Sequence, residues 1–143
     1  MNLHRTLQSG MNDTNGVLAI DQNDLFAVYG LSGQVALFKS KSTKKSHNKI
    51  VSLFNVKGPV NAAKMISPNF IAVGGVDNDI QCWDLNNSES PSWAGRNVPN
   101  DKLSLSIPIN ITAITSYAAD IMENNLIATG TALKQVFSDY YDC

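Results

Sequence analysis

Side chains able to do chemistry are few in this sequence and poorly grouped. Its two histidines, His4 and His47, lie in polar segments 43 residues apart. No His-x-x-x-His or Cys-x-x-Cys pair, Gly-x-Ser-x-Gly elbow or phosphate-binding glycine loop occurs, so metal-assisted, nucleophilic and nucleotide chemistry all lack their usual spacing. Three carboxylates, Asp77, Asp79 and Asp84, crowd a single short stretch and cannot converge on one site from separate strands. They read as turn residues that bond neighbouring backbone. Cys82 reads as a buried inert thiol and Cys143 as a terminal one. No catalysis, metal or cofactor is expected. What remains is binding chemistry. Lys39 to Lys49 holds five lysines in eleven residues, KSKSTKKSHNK. Lys41, Lys44, Lys45 and Lys49 form either a solvated connection or a set of contacts to RNA phosphates, which lysines make without sequence specificity. The interleaved aromatics of a single-strand stacking platform are missing.

The elements that would hold such loops are organised around Asn69 to Leu85, NFIAVGGVDNDIQCWDL. Phe70-Ile71-Ala72-Val73 is an apolar run between Pro68-Asn69 and Gly74-Gly75, which predicts a buried strand. A turn is expected at Val76-Asp77-Asn78-Asp79, followed by a strand that alternates Ile80 and Cys82 with Gln81 and Trp83. An apolar strand, an Asp-bearing turn, Ile two before Cys, and Trp83-Asp84 together are the signature of a WD-repeat β-propeller blade. In WD repeats the residue matching Asp77 anchors a hydrogen-bond network with a His in the connection between blades. Here that connection reads Gly58-Pro59, so Asp77 is expected only to cap its turn.

The same rhythm recurs on both sides. Strands are predicted at Val17–Ile20, Leu25–Tyr29, Gln34–Phe38 and Ile50–Val56, and then at Val60–Ile66, Phe70–Val73, Ile80–Trp83 and around Ser92-Trp93-Ala94. A third set is predicted at Thr112–Tyr117, Leu126–Thr129 and Gln135–Tyr141. Ala72 lies 45 residues after Ala27, a WD-repeat period, and Ala128 a further 56 residues on. The expected organisation is an N-terminal edge segment over 1–15, blades over 16–57 and 58–97, a long connection over 98–110 and an incomplete blade over 111–143. The fold class is all-β, about three four-stranded antiparallel blades. Closed propellers have 4–8 blades, so this chain alone is not expected to close a ring.

Composition agrees with a globular chain and excludes several classes. Of 143 residues, 43% are hydrophobic and 16% charged, with a formal net charge of -1, which creates no strong field for nucleic acid or membrane. No apolar stretch approaches the roughly 18 residues of a membrane span. The first ten residues lack the apolar centre of a secretory signal. A reducing compartment is expected, and the Asn-x-Ser/Thr triplets at Asn12, Asn86 and Asn110 are read as chance matches.

The partner-binding candidates are Trp93, which precedes a polar loop and either packs or meets a partner, and Arg96, Asn97, Asn100 and Asp101 of that loop, because polar loop residues reach either a partner or neighbouring backbone. The run GGVDNDIQCWDLNNSESPSWAGRNVPNDKLSLSIPI joins a blade hairpin to an unusual continuation: an aromatic, Arg96-Asn97, Asn100-Asp101, Leu103, Leu105 and Pro108. With NLIATGTALKQVFSDYYD it resembles the WD repeat-containing protein 74 / NOP seven-associated family, nucleolar WD-repeat factors of early large ribosomal subunit assembly, as a partial or truncated member. Lys102 and Ser104 depart from that pattern, and Ser138-Asp139 reads as an insertion. The resemblance implies a seven-bladed propeller in the nucleus and nucleolus, docking on pre-60S particles during rRNA processing. It further implies contact with assembly proteins and release by an AAA-type ATPase, with no membrane or small-molecule substrate. The rival expectation is a WD-repeat adaptor in some other complex, since a fold selects no partner by itself.

Overall fold

Short β-branched and aromatic runs punctuated by Gly, Pro, Asn and Asp have one favourable outcome, antiparallel strands joined by tight turns. The computed structural model describes residues 11, 13–20, 25–39, 49–97, 99–100, 102–118 and 125–141, and in these there are eleven strands and no helix. The first sheet has the order β1 (Thr14–Ile20), β2 (Leu25–Gly30), β3 (Gln34–Lys39), β4 (Lys49–Asn55). The second runs β5 (Ala62–Ser67), β6 (Phe70–Gly75), β7 (Asn78–Asp84), β8 (Trp93–Ala94). The third contains β9 (Ile111–Ala118), β10 (Asn125–Thr131) and β11 (Val136–Tyr141). Every neighbour in a sheet is also the neighbour in sequence, and every pair is antiparallel. These are successive blade-like meanders with no barrel closure, the all-β arrangement expected of part of a propeller.

The sheets pack face to face. Ala27, Val35, Leu37 and Phe54 of the first sheet meet Ile71, Val73 and Trp83 of the second, with Val56 and Val60 of the connection between them. Phe54 stacks on Trp83 at 4.7 Å between ring centroids, so the tryptophan packs between sheets. On its other side the second sheet places Ala62, Ala72, Ile80 and Cys82 against Ile111 and Ile127 of the third. Residues Ile71 to Gly75 are therefore buried without a break, which is why β6 is a continuous apolar run. Fully burying a Val, Leu, Ile or Phe side chain contributes about 1.5–3 kcal/mol each, so these two seams hold the array together. The first sheet's outer face carries Val28, Ala36 and Phe38, with Met11 and Phe26 packed against them.

β11 pairs with β10 without a register shift from Gly130↔Val136 to Asn125↔Tyr141, through Ser138 and Asp139. One expectation is corrected: the turn after β6 is shorter than Val76 to Asp79, because β7 begins at Asn78. Asp77 is exposed with φ of 49°, a left-handed conformation that Asp and Asn tolerate best among non-glycine residues. The residue drawn into the interior is Asn78, 2% exposed. Trp83 Nε1 donates to Gln81 Oε1 at 3.1 Å, and Gln81 Nε2 donates to Asn78 Oδ1 at 3.3 Å. Gly58, with φ of 80°, lies beside this run, where a Cβ would come 3.8 Å from that of Asn78. Trp83, Gln81 and Asn78 thus form a short hydrogen-bonded run, and at its end Asn78 Nδ2 is buried without a hydrogen-bond partner.

Candidate partner-docking rim

Because the strands alternate in direction, their connections fall on two opposite rims. One rim holds the β2–β3, β6–β7 and β10–β11 turns together with the connections that lead into β5 and β9. Backbone hydrogen bonds tie these together: Val56 N–H to Gly33 O (2.8 Å), Val60 N–H to Gly30 O (3.2 Å), Asp77 N–H to Ile109 O (2.9 Å) and Ala132 N–H to Asn110 O (2.9 Å). Gly33 is obligatory here. Its φ is 86°, and a Cβ would collide with the Val56 and Gly58 carbonyl oxygens. Asp13 secures the first turn by accepting from the Ser32 backbone N–H and, at 3.1 Å, from its hydroxyl.

A ladder of asparagines crosses the same rim. Asn15 Nδ2 donates to Asn61 Oδ1 at 3.0 Å and to Val60 O at 2.9 Å, and Asn61 Nδ2 donates to Asn110 Oδ1 at 2.9 Å. One asparagine stands at or just before the first strand of each sheet, so the ladder links all three. Sequence reasoning missed it. The signal was present, since Thr14-Asn15, Val60-Asn61 and Ile109-Asn110 recur at separations of 46 and 49 residues.

The candidate residues distribute as follows. Trp93 lies in β8 opposite Cys82 and is half-buried against the second seam, a packing position with partial exposure. Gly95 N–H bonds Ile80 O at 2.8 Å, carrying the chain beside β7 toward the rim, where Arg96 is exposed. Asn97 and Asn100 bond backbone: Asn97 Nδ2 donates to Ile107 O at 2.7 Å, and Asn100 Nδ2 to Ser104 O at 3.3 Å. Ser104 takes φ of 61° within this loop. Asp101 lies outside the described residues, as do Lys41, Lys44, Lys45 and the side chain of Lys49. The strand ends that the lysine segment joins, Lys39 and Lys49, are at the opposite rim, because β3 starts at the rim turn and runs away from it. The asparagine loop and the lysine segment are therefore attached to different rims.

Arg96 and Asn97 line a small open cleft with Asp79, Ile80, Ile109, Ile111, Thr129 and Phe137. Asp79 has one carboxylate oxygen, Oδ1, buried without a hydrogen-bond partner. Burial pushes its pKa up, and the Lys57 ammonium opposes that. No histidine, cysteine or second carboxylate is among the residues lining the cleft. Among the described residues no three His, Cys, Asp or Glu are grouped so as to hold a metal ion. A carboxylate, an arginine, an amide and a hydroxyl lining one cleft can bind a polar group.

Comparison with known proteins adds a likeness. Over 42 residues the chain is 45% identical to WD repeat-containing protein 74 of Homo sapiens and 43% identical to that of Bos taurus. The likeness is partial. The matched segment is 29% of this chain and 11% of each relative, so the chain spans only a small part of their length in the match. No family model matches the chain. What this chain has in common with WD repeat-containing protein 74 is a stretch of 42 residues, and its three antiparallel meanders are consistent with part of a WD-repeat propeller.

Proposed function

We propose that this chain is a non-enzymatic WD-repeat docking scaffold and that it works in large (60S) ribosomal subunit assembly in the nucleolus. The observation that carries the reading is the 45% identity over 42 residues with WD repeat-containing protein 74, on a fold in which backbone hydrogen bonds tie the loops of one rim together. The scaffold role follows from the physics: rigid sheets position loops, and loops recognise partners. In this reading the partners are proteins of the pre-60S particle, with an AAA-type ATPase releasing the scaffold during rRNA processing. In the same reading the lysine segment meets rRNA phosphates; the strand ends that it joins lie on the rim opposite Arg96, Asn97 and Asn100, which agrees with one blade array bridging RNA and protein.

Sedimentation of nuclear extract tests the proposal. A tagged copy of the chain is expected to travel with large-subunit precursor particles and to leave them as salt is raised, because phosphate contacts weaken with ionic strength. Travel with an unrelated complex would instead support a WD-repeat adaptor acting elsewhere.

A further inference from the structure

We infer that Asn15-Gly16 is a site of spontaneous covalent modification, at which cyclisation and hydrolysis turn Asn15 into aspartate or isoaspartate. The asparagine ladder both slows this reaction and is broken by it, so the pair forms a one-way latch on the link between the first two sheets. The inference goes beyond the scaffold reading and stands whether or not that reading holds. The reaction needs an asparagine followed by a main-chain nitrogen that no side chain shields. Asn15 alone in the sequence precedes a glycine; every other asparagine is followed by a residue that carries a side chain. Packing keeps the glycine in place, because a Cβ at Gly16 would overlap the Tyr29 ring. Asn15 is exposed, and the pairing of β1 with β2 passes from Thr14↔Gly30 to Gly16↔Tyr29. Asn15 is thus the extra residue of a β-bulge, without an opposite number in β2. What ties it down is its side chain, whose Nδ2 donates to Val60 O at 2.9 Å and to Asn61 Oδ1 at 3.0 Å.

The chemistry needs no reagent but solvent water. Gly16 N attacks Asn15 Cγ; the new N–C bond closes a cyclic imide as the Cγ–Nδ2 bond breaks. The Gly16 amide proton leaves with Nδ2 as ammonia. Water then opens the imide, at the side-chain carbonyl to give aspartate or at the main-chain carbonyl to give isoaspartate. Both halves of the latch follow from the hydrogen bonds of Nδ2. While it is held by Val60 O and Asn61 Oδ1, the side chain is not free to turn onto Gly16 N. Attack waits for the ladder to open locally, and the rate follows the open population. Afterwards an ionised oxygen stands where Nδ2 donated, facing acceptors only, and the bonds cannot re-form. Isoaspartate also adds a methylene to the main chain of β1. The Asn61–Asn110 bond is left intact, so the link that is lost is the one between the first sheet and the second.

The test holds the full chain at neutral pH and follows, by mass spectrometry of the proteolytic fragment that carries Asn15, the replacement of amide by acid. The folded parent is expected to convert at Asn15 ahead of every other asparagine, yet at least about tenfold more slowly than the same chain unfolded in guanidinium chloride. Asn61→Ala removes one of the Nδ2 acceptors and should speed conversion in the folded chain about tenfold. An Asn15 that stays intact in the folded chain while the unfolded chain is converted overturns the inference, as does one rate shared by parent and Asn61→Ala. If Asn61→Ala does not fold, the product mimic decides. Asn15→Asp is expected to melt below both the parent and Asn15→Ala, because it sets a charge against the two acceptors where alanine only removes a donor. An Asn15→Asp chain that melts with Asn15→Ala, or above it, overturns the latch.

Discussion

The second and third sheets are built on the same register, yet their outward faces differ. Ala27, Ala72 and Ala128 occupy one position of the repeat, and Val35, Ile80 and Val136 another. Val35 is 0% exposed under the second sheet and Ile80 5% exposed under the third, whereas Val136 is 77% exposed. The residue type scarcely changes; the neighbour does. Tyr117 pairs with Leu126, and Val136 with Gly130, on alternate positions from the buried Ile127 and Thr129, so they share that uncovered face. A blade's pattern therefore specifies two packing faces, and each is satisfied only by another sheet. Tyr117 and Val136 mark the face of this array that a further sheet would cover.

The comparison can be broken most directly in the middle. Trp83→Ala removes a 5% exposed side chain stacked on Phe54 and should cost about 3–5 kcal/mol in urea denaturation. A loss below about 1 kcal/mol would mean that the seam does not hold the sheets. Asn61→Ala removes both the acceptor of Asn15 and the donor to Asn110, and is expected to cost about 1–3 kcal/mol by the same measurement. Asn15→Ala should cost less if the ladder acts as a unit.

Asp79→Asn sharpens the contrast at the second seam. Burial raises the carboxyl pKa, so the folded state favours the protonated form, and that contribution is lost as pH rises through the folded-state value. The variant is therefore expected to match or exceed the parent in melting temperature at neutral pH. The difference should shrink in acid, where the carboxyl is protonated. A parent that is more stable at neutral pH would show that Lys57 outweighs desolvation. Val136→Ser should change stability least, within about 0.5 kcal/mol, because its side chain meets no covering sheet. Dye binding to exposed apolar surface should fall in the same variant, and no change in it would argue that the outward face is not an apolar surface.

Much of this architecture was legible. Period-2 alternation marked Ile80 and Cys82 as one face of β7, and the unbroken run Phe70–Val73 marked a strand covered on both sides. Even the two-residue β8 was foreshadowed at Trp93-Ala94. The site was less legible. Asn97 and Asn100 stood out as hydrogen-bonding loop residues, but whether they serve backbone or partner depended on where Ile107 O and Ser104 O came to lie. The asparagine ladder was hidden because its members are about 45–50 residues apart and meet only when the sheets stack.

The sequence by itself determined strands, turns and repeat period, since these depend on local dihedral preference and on which alternate side chains are apolar. Only the tertiary structure decided that Asn78 enters the interior while Asp77 stays in solvent. That choice belongs to the turn, whose left-handed residue at Asp77 aims its neighbour at Gln81. It also decided that the lysine segment and the asparagine loop attach to opposite rims, because the direction of each strand sets the rim of the connection that follows it.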